Sequence, residues 1–147
     1  MDVINDFDNE FFFLSNFTYS PFVVSSIKWD TVEHYFQAMK TTDLDLREKI
    51  KKVGHPRFAK KFGKILKLRN DWEDIKYGIM KQAVGYKFTQ NQKYREMLID
   101  THPAKLIEGN SWHDNIWGDC YCVRCKNIEG KNLLGKILMD VRSELML

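Results

Sequence analysis

Trp29-Asp30-Thr31-Val32-Glu33-His34-Tyr35-Phe36-Gln37-Ala38-Met39-Lys40 is where the chain changes its period. Before it, apolar residues come in short runs, Phe11-Phe12-Phe13-Leu14, Pro21-Phe22-Val23-Val24 and Ile27-Lys28-Trp29, separated by Ser, Asn and Pro. That pattern implies a small strand-and-turn element. From Asp30 onward Val32, Phe36 and Met39 recur at helical core spacing, and Asp30 with Glu33 three residues later reads as an N-cap and its capping-box partner. Downstream the helical period recurs over residues 43 to 53, 56 to 68, 72 to 88 and 92 to 100. Pro56 suits a first turn, and Asp71 suits a cap ahead of Trp72, Ile75, Ile79, Ala83 and Phe88. A final helix carries Leu134, Ile137, Leu138, Val141 and Leu145 on one stripe. The expected fold is α+β and predominantly helical, with the small N-terminal strand-and-turn element packed on a helical body.

A chain of 147 residues, 44% hydrophobic and 29% charged, has the size and composition of one domain, here residues 1–147, with one core. Its apolar runs fall far short of the roughly 20 residues that cross a bilayer, which argues against a membrane protein. Acidic residues near the start, Asp2 and Asp6, replace the basic segment of a signal peptide, so a cytoplasmic location is expected. The three cysteines, Cys120, Cys122 and Cys125, are odd in number and crowded together, which favours reduced thiols over a disulfide framework. The net charge is only +3, yet residues 47 to 69 hold ten Lys or Arg against the single acid Glu48. Such a segment is either a solvated helical face or an attractor for phosphates, carried by a nucleotide or by a nucleic-acid backbone.

Glu33, Gln37 and Lys40 are spaced i, i+4 and i+7 and share one helical face. Acid, amide and amine together could bind a ribose and move protons at its anomeric carbon; equally, Glu33 could serve only the capping box and Lys40 only the helix C-terminus. Trp72 could cover a planar base or simply pack. Residues 109 to 132 read as a long ordered loop. Within it Asp114-Asn115-Ile116-Trp117-Gly118-Asp119 offers carboxylates, an amide and an aromatic, the inventory of a nucleoside pocket, although loop carboxylates are often turn formers. Cys120-x-Cys122-x-x-Cys125 raises zinc, with His113 or His55 as a completing ligand, but the spacing lacks the second distant cysteine pair of the common structural sites. No metal and no cofactor are assigned on this reading.

Taken together, these strings resemble the NADAR or YbiA-like family of N-glycosidases. The resemblance runs through most of the chain. Its carriers are Phe13-Leu14-Ser15-Asn16-Phe17, Trp29-x-Thr31-x-Glu33-His34-Tyr35-Phe36-Gln37-Ala38-x-Lys40, Arg69-x-x-Trp72 with Met80 downstream, and Pro103-Ala104-Lys105-Leu106-Ile107-Glu108. Asp114-x-x-Trp117-Gly118 and Gly130-Lys131-Asn132-Leu133-Leu134-Gly135 follow in the same order. The resemblance implies hydrolysis of a ribose C1′–N bond, either releasing ADP-ribose from guanine or cleaving phosphorylated ribosylamino-pyrimidine intermediates of riboflavin synthesis. It also implies catalytic roles for Glu33, Lys40 and Asp114 and substrate contacts from Asn16, Phe17, Gln37, Trp72, Trp117, Gly118 and Asn132. Expected partners are a phosphorylated ribosyl or ADP-ribosyl substrate, in the second case on modified DNA or RNA, and the oligomeric state is left open. The chain departs from some relatives after Gly118, where a compact glycine-rich loop becomes a longer cysteine-containing one. Cleavage at C1′ passes through an oxocarbenium-like state, so a carboxylate would stabilise charge or activate water; alternatively a neutral Lys40 would exchange into a ring-opened imine. The contrasting class is a non-catalytic ADP-ribose or nucleic-acid binding module.

Overall fold

The computed structural model describes residues 2–147, which form two compact units. One is continuous, Asn16–Gln92, and the other joins the residues up to Ser15 to Lys93–Leu147. The fold is α+β and mostly helical, with short strands only.

The continuous unit opens with a hairpin of β2 (Phe22–Val24) and β3 (Ile27–Trp29), in register Phe22 to Trp29 and Val24 to Ile27. Its two turn residues, Ser25 and Ser26, both take positive φ (49° and 69°), the conformation that two-residue hairpins require. Gln90 closes the outer edge of β2, its side chain accepting from Val23 N at 2.8 Å and donating to Val23 O at 3.0 Å. Beneath the hairpin Phe22 meets Tyr35 edge-on and stacks on Tyr86, while Trp29 meets Tyr35 edge-on. Then come α1 (Val32–Ala38), α2 (Leu44–Lys52), α3 (Pro56–Ile65) and α4 (Trp72–Gln90). Helix α1 is buried at every position, with α2, α3 and α4 packed around it.

The start of α1 departs from the sequence expectation by one residue. Thr31, not Asp30, is the cap: its hydroxyl oxygen accepts from His34 N, while the Asp30 carbonyl is engaged by Ser20 N. The Thr31 hydroxyl lies 2.8 Å from His34 Nδ1, and His34 Nε2 lies 2.9 Å from the Val53 carbonyl. A carbonyl only accepts, so Nε2 carries the proton and the hydroxyl donates to Nδ1. Asp71 precedes α4 as expected but makes no side-chain cap bond; its carboxylate pairs with Arg69 at 2.7 Å. Pro56 does occupy the first turn of α3.

In the other unit β1 (Val3–Ile4) pairs in parallel with β4 (Lys105–Leu106), and β5 (Gly109–Asn110) pairs in parallel with β6 (Asp119–Cys120). Helices α5 (Gln92–Asp100) and α6 (Leu133–Leu145) complete it, with α6 packed on β4. Phe11–Leu14, expected as a strand, instead lies in a 3₁₀ turn, Asn9–Leu14. Phe13 and Leu14 are buried side by side while Phe12 is exposed, a pattern a strand of period two cannot provide. Arg142 of α6 is buried and donates from Nη1 to Thr101 Oγ1 and to the Ala104 carbonyl, each at 2.9 Å.

Among the described residues no helix is long and apolar enough to cross a membrane. The most exceptional core residue is Lys87 of α4, 1% exposed, whose ammonium sits 5.0 Å from the Phe88 ring. Burial lowers its pKa from 10.5 to about 7. At this residue the unfolded chain therefore binds more protons than the folded one between about pH 7 and 10.5, so Lys87 contributes a rise of stability with pH across that window. Lys87→Met is expected to remove this rise, which has a ceiling on the order of 4 kcal/mol from linkage. Chemical denaturation at pH 7 and pH 10 measures it.

Candidate active site

Glu33 and Gln37 lie one turn apart on α1 and are tied directly, Gln37 Nε2 donating to Glu33 Oε1 at 2.8 Å. Both are buried, at 7% and 5% exposure. In low dielectric such a carboxylate–amide bond is strengthened and the carboxylate is held in one orientation. The Gln37 amide lies directly on Gly63 of α3, where an added Cβ would overlap its oxygen. That oxygen, Gln37 Oε1, is buried and lacks a hydrogen-bond donor among the described residues. At the head of the helix Glu33 N donates to the Asn16 carbonyl at 3.2 Å, and the Asn16 amide approaches the Met80 sulfur at 3.5 Å. Phe17 meets the His55 ring edge-on.

Lys40 follows two residues after the end of α1, held through its backbone: its carbonyl accepts from Arg69 N at 2.9 Å. Its ammonium stands 5.8 Å from the Phe36 ring, and Phe36 packs against Trp72 with centroids 5.1 Å apart. Trp72 itself is 4% exposed, so its ring is spent on the core. The Lys40 ammonium is held below the usual lysine pKa, first by burial and then by the cations Lys60, Lys64 and Lys76, against the opposing pull of Glu33. Lys60 and Lys64 are one turn apart on α3, and Lys76 lies on α4, paired with Glu73 at 2.7 Å. The cationic stretch noted in the sequence thus supplies two of the charges that act on Lys40. Lys76 was outside that stretch, and Gly63 carried no sequence signal beyond being a glycine inside a helix.

The loop candidates belong to the other unit. Asp114 Oδ1 accepts from Ile116 N and Trp117 N at 3.1 and 2.9 Å, the geometry of a turn former. Asn110, which sequence reasoning missed, is 1% exposed and organises the same loop: its amide donates to the Asp114 carbonyl and its oxygen accepts from Trp112 N and Asp114 N. Gly118 passes so close to Glu108 that a Cβ would collide with its backbone and carboxylate oxygens. Asn132, at φ 52°, accepts from Glu108 N and donates to the Leu106 carbonyl, each at 2.9 Å. Trp117 is half-buried. The structure therefore gathers Asn16, Phe17, Glu33, Gln37, Lys40 and Trp72 in one unit and Asp114, Trp117, Gly118 and Asn132 in the other.

Known proteins share this architecture. The chain is 41% identical over 133 residues to the N-glycosidase YbiA of Shigella flexneri, covering 89% of this chain and 79% of that one. It is 36% identical to the riboflavin biosynthesis protein VVA0006 of Vibrio vulnificus over 90% of this chain and 35% of the other. The NMR structure of the E. coli protein YbiA superposes with a TM-score of 0.85 at 37% identity, covering 99% of this chain and 86% of that one. These relatives make the chain a glycosyl hydrolase of the N-glycosidase class. The NADAR domain model matches residues 4–146, and the chain belongs to the NADAR family.

Gly63→Ala tests the close approach at Gln37. Replacing a helical glycine by alanine contributes about 1 kcal/mol of propensity, which offsets much of the cost of displacing one amide. The variant is expected to melt within a few degrees of the parent, and, if Glu33 acts in catalysis, to lose at least about tenfold in kcat/KM as Glu33 loses its partner. Thermal melts alongside kinetics separate the two effects.

Proposed function

We propose that the protein hydrolyses the C1′–N bond of a phosphorylated ribosyl or ADP-ribosyl substrate, with Lys40 as nucleophile and Glu33 as proton shuttle. The observation that carries this reading is the placement of Lys40, half-buried and within electrostatic reach of Glu33, Lys60, Lys64 and Lys76, where burial and the three cations disfavour its charged form. A lysine attacks carbon only as the free amine, and burial with neighbouring cations is the established way to produce one near neutral pH. The same cations would hold the phosphates of the substrate. Gln37, whose Nε2 donates to Glu33 Oε1, would hold the proton shuttle in place.

In the proposed sequence the glycosidic nitrogen donates its lone pair to C1′, the ring C1′–O bond breaks, and protonated Glu33 gives its proton to the ring oxygen, which becomes a hydroxyl and leaves Glu33 as the carboxylate. The Lys40 amine adds to the resulting C1′=N bond. Glu33 carries a proton from the new ammonium to the departing nitrogen, which leaves as the amine or base. Water then hydrolyses the Lys40–C1′ imine, and the sugar closes. The family resemblance assigns further substrate contacts to Asn16, Phe17 and Trp72 in the continuous unit, and to Asp114, Trp117, Gly118 and Asn132 in the other. The leaving group is guanine on modified DNA or RNA, or an aminopyrimidine of riboflavin synthesis. The name of the Vibrio vulnificus relative supports the second.

Incubation with ADP-ribosylated guanine in DNA and, separately, with phosphorylated ribosylamino-pyrimidines is expected to release ribosyl product from one of them, as read by mass spectrometry. Release from neither would refute the reading. A binding module would retain affinity and release nothing, and Glu33→Gln would then change nothing measurable.

Borohydride added during turnover should leave a sugar adduct on Lys40, and Lys40→Arg should abolish both adduct and turnover, since guanidinium stays protonated. Because the folded pKa is depressed, the free amine forms at lower pH than in an ordinary lysine, and kcat/KM should climb to a plateau below about pH 10.4. Turnover in Lys40→Arg near that of the parent would instead indicate direct attack by water. The double variant Lys60→Ala/Lys64→Ala should raise KM several-fold and flatten its salt dependence, as measured between low and high ionic strength.

A further inference from the structure

The cysteine loop, unused by the proposed chemistry, contains a four-residue cluster of a different kind. His113 follows β5, Cys120 ends β6, and Cys122 and Cys125 bracket a short 3₁₀ turn, Val123–Cys125. The imidazole Nδ1 of His113 lies 3.4 Å from Cys125 Sγ, 3.3 Å from Cys122 Sγ and 4.0 Å from Cys120 Sγ, and all four atoms fall within 4.8 Å of one another. One ring nitrogen has either one proton or one lone pair, so it satisfies one hydrogen bond and cannot serve three sulfurs. Three sulfurs and one nitrogen gathered this closely are instead a coordination arrangement. With metal–sulfur bonds of about 2.3 Å and metal–nitrogen bonds of about 2.0–2.1 Å, tetrahedral geometry requires N···S edges of about 3.6 Å. The measured edges bracket that value.

We propose that His113, Cys120, Cys122 and Cys125 bind a structural zinc ion that fastens the loop between β5 and α6. Soft thiolates with one imidazole in tetrahedral array select zinc over the harder divalent ions. All four positions are filled by protein, which leaves no open site for substrate and makes the ion structural. The surroundings suit thiolates: Asn115 Nδ2 approaches Cys125 Sγ at 3.4 Å and Cys122 N approaches Cys120 Sγ at 3.5 Å. Three thiolates and Zn²⁺ carry a net charge of −1, beside the cations Arg124 and Lys126. Arg124 now lies 3.4 Å from His113 Nε2. A ring bound through Nδ1 carries its proton there, so this exposed side chain would turn into solvent. His113 takes φ 67°, a left-handed conformation that aims the ring back at the cysteines. Asn115 links the cluster to the neighbouring motif, its oxygen accepting from Cys120 N at 2.9 Å, so the ion would also stiffen Asp114–Gly118.

The test uses the full chain purified reduced and without chelator. Elemental analysis is expected to find one zinc per chain. Cobalt added to the stripped protein should give thiolate charge-transfer bands in the near ultraviolet and tetrahedral bands in the red. Cys122→Ser and His113→Asn, the latter chosen because asparagine tolerates positive φ, should weaken binding by more than the roughly 100-fold that loss of an outer partner costs. Val123→Ser, an exposed neighbour, should leave binding unchanged. Stripping should open residues 113 to 125 to protease, and zinc should close them again. Metal-free protein that gives no cobalt charge-transfer band would overturn the proposal, as would a disulfide among the three cysteines in place of metal, or unchanged zinc affinity in both ligand variants. Should the variants fail to fold, the cobalt spectrum of the unmodified chain decides.

Discussion

The constraint on which the continuous unit depends is the burial of α1 on all its faces, although it carries a carboxylate, an imidazole and an amide. Each polar group removed from water must find a partner or destabilise the fold by about 1–3 kcal/mol. His34 meets this demand with Thr31 at the head of its own helix and Val53 at the end of α2, so the imidazole fixes where α2 stops relative to α1. Glu33 and Gln37 meet it partly with each other. The small volume of Gly63 lets α3 approach that pair, and the approach brings Lys60 and Lys64 to bear on Lys40. Packing and electrostatics near Lys40 therefore have one origin.

The two unusual lysines of this unit show why burial alone does not define a nucleophile. Lys87 is driven to about 7 by desolvation, further than most lysines, yet it is 1% exposed and a substrate carbon has no path to it. Lys40 is half-buried, so part of its shift comes from Lys60, Lys64 and Lys76 while its amine keeps contact with solvent. Glu33 opposes the shift. That opposition has a use in the proposed mechanism: the acid that favours the protonated lysine is also the base placed to remove its proton.

What could be read from the sequence was local. Helices α2 to α6 announced themselves by period and by residues such as Pro56, and the Glu33–Gln37 face followed from spacing on one helix. Phe11–Leu14 misled because aromatic content suggests strands, while the 3₁₀ turn is decided by which neighbouring residues are buried together. Asp30 and Thr31 are both good caps, and only the engagement of the Asp30 carbonyl by Ser20 separates them. The cysteine spacing looked incomplete because its fourth member, His113, stands seven residues before Cys120 and reaches the others through a left-handed backbone residue. Nothing in composition specifies that conformation.

The strings that carry the family resemblance hold two kinds of residue, those whose polar groups the fold satisfies and those it leaves unsettled. In Glu33-His34-Tyr35-Phe36-Gln37, both ring nitrogens of His34 are taken by the protein and Tyr35 is an aromatic contact of the hairpin. Asn132 has its carbonyl oxygen engaged by Glu108 N and its amide by Leu106 O, and one oxygen of Asp114 holds a turn. These residues are constrained by the backbone they satisfy, and replacing them would disturb the fold before any chemistry was reached. Gln37 differs: one end of its amide grips Glu33, and the other is a buried acceptor with no donor in the described chain. Lys40 differs too, because its backbone is fixed by Arg69 while its charged form is disfavoured by burial and by Lys60, Lys64 and Lys76, against Glu33. A fold keeps such unsettled groups at a cost in stability, and groups of this kind cluster at functional sites.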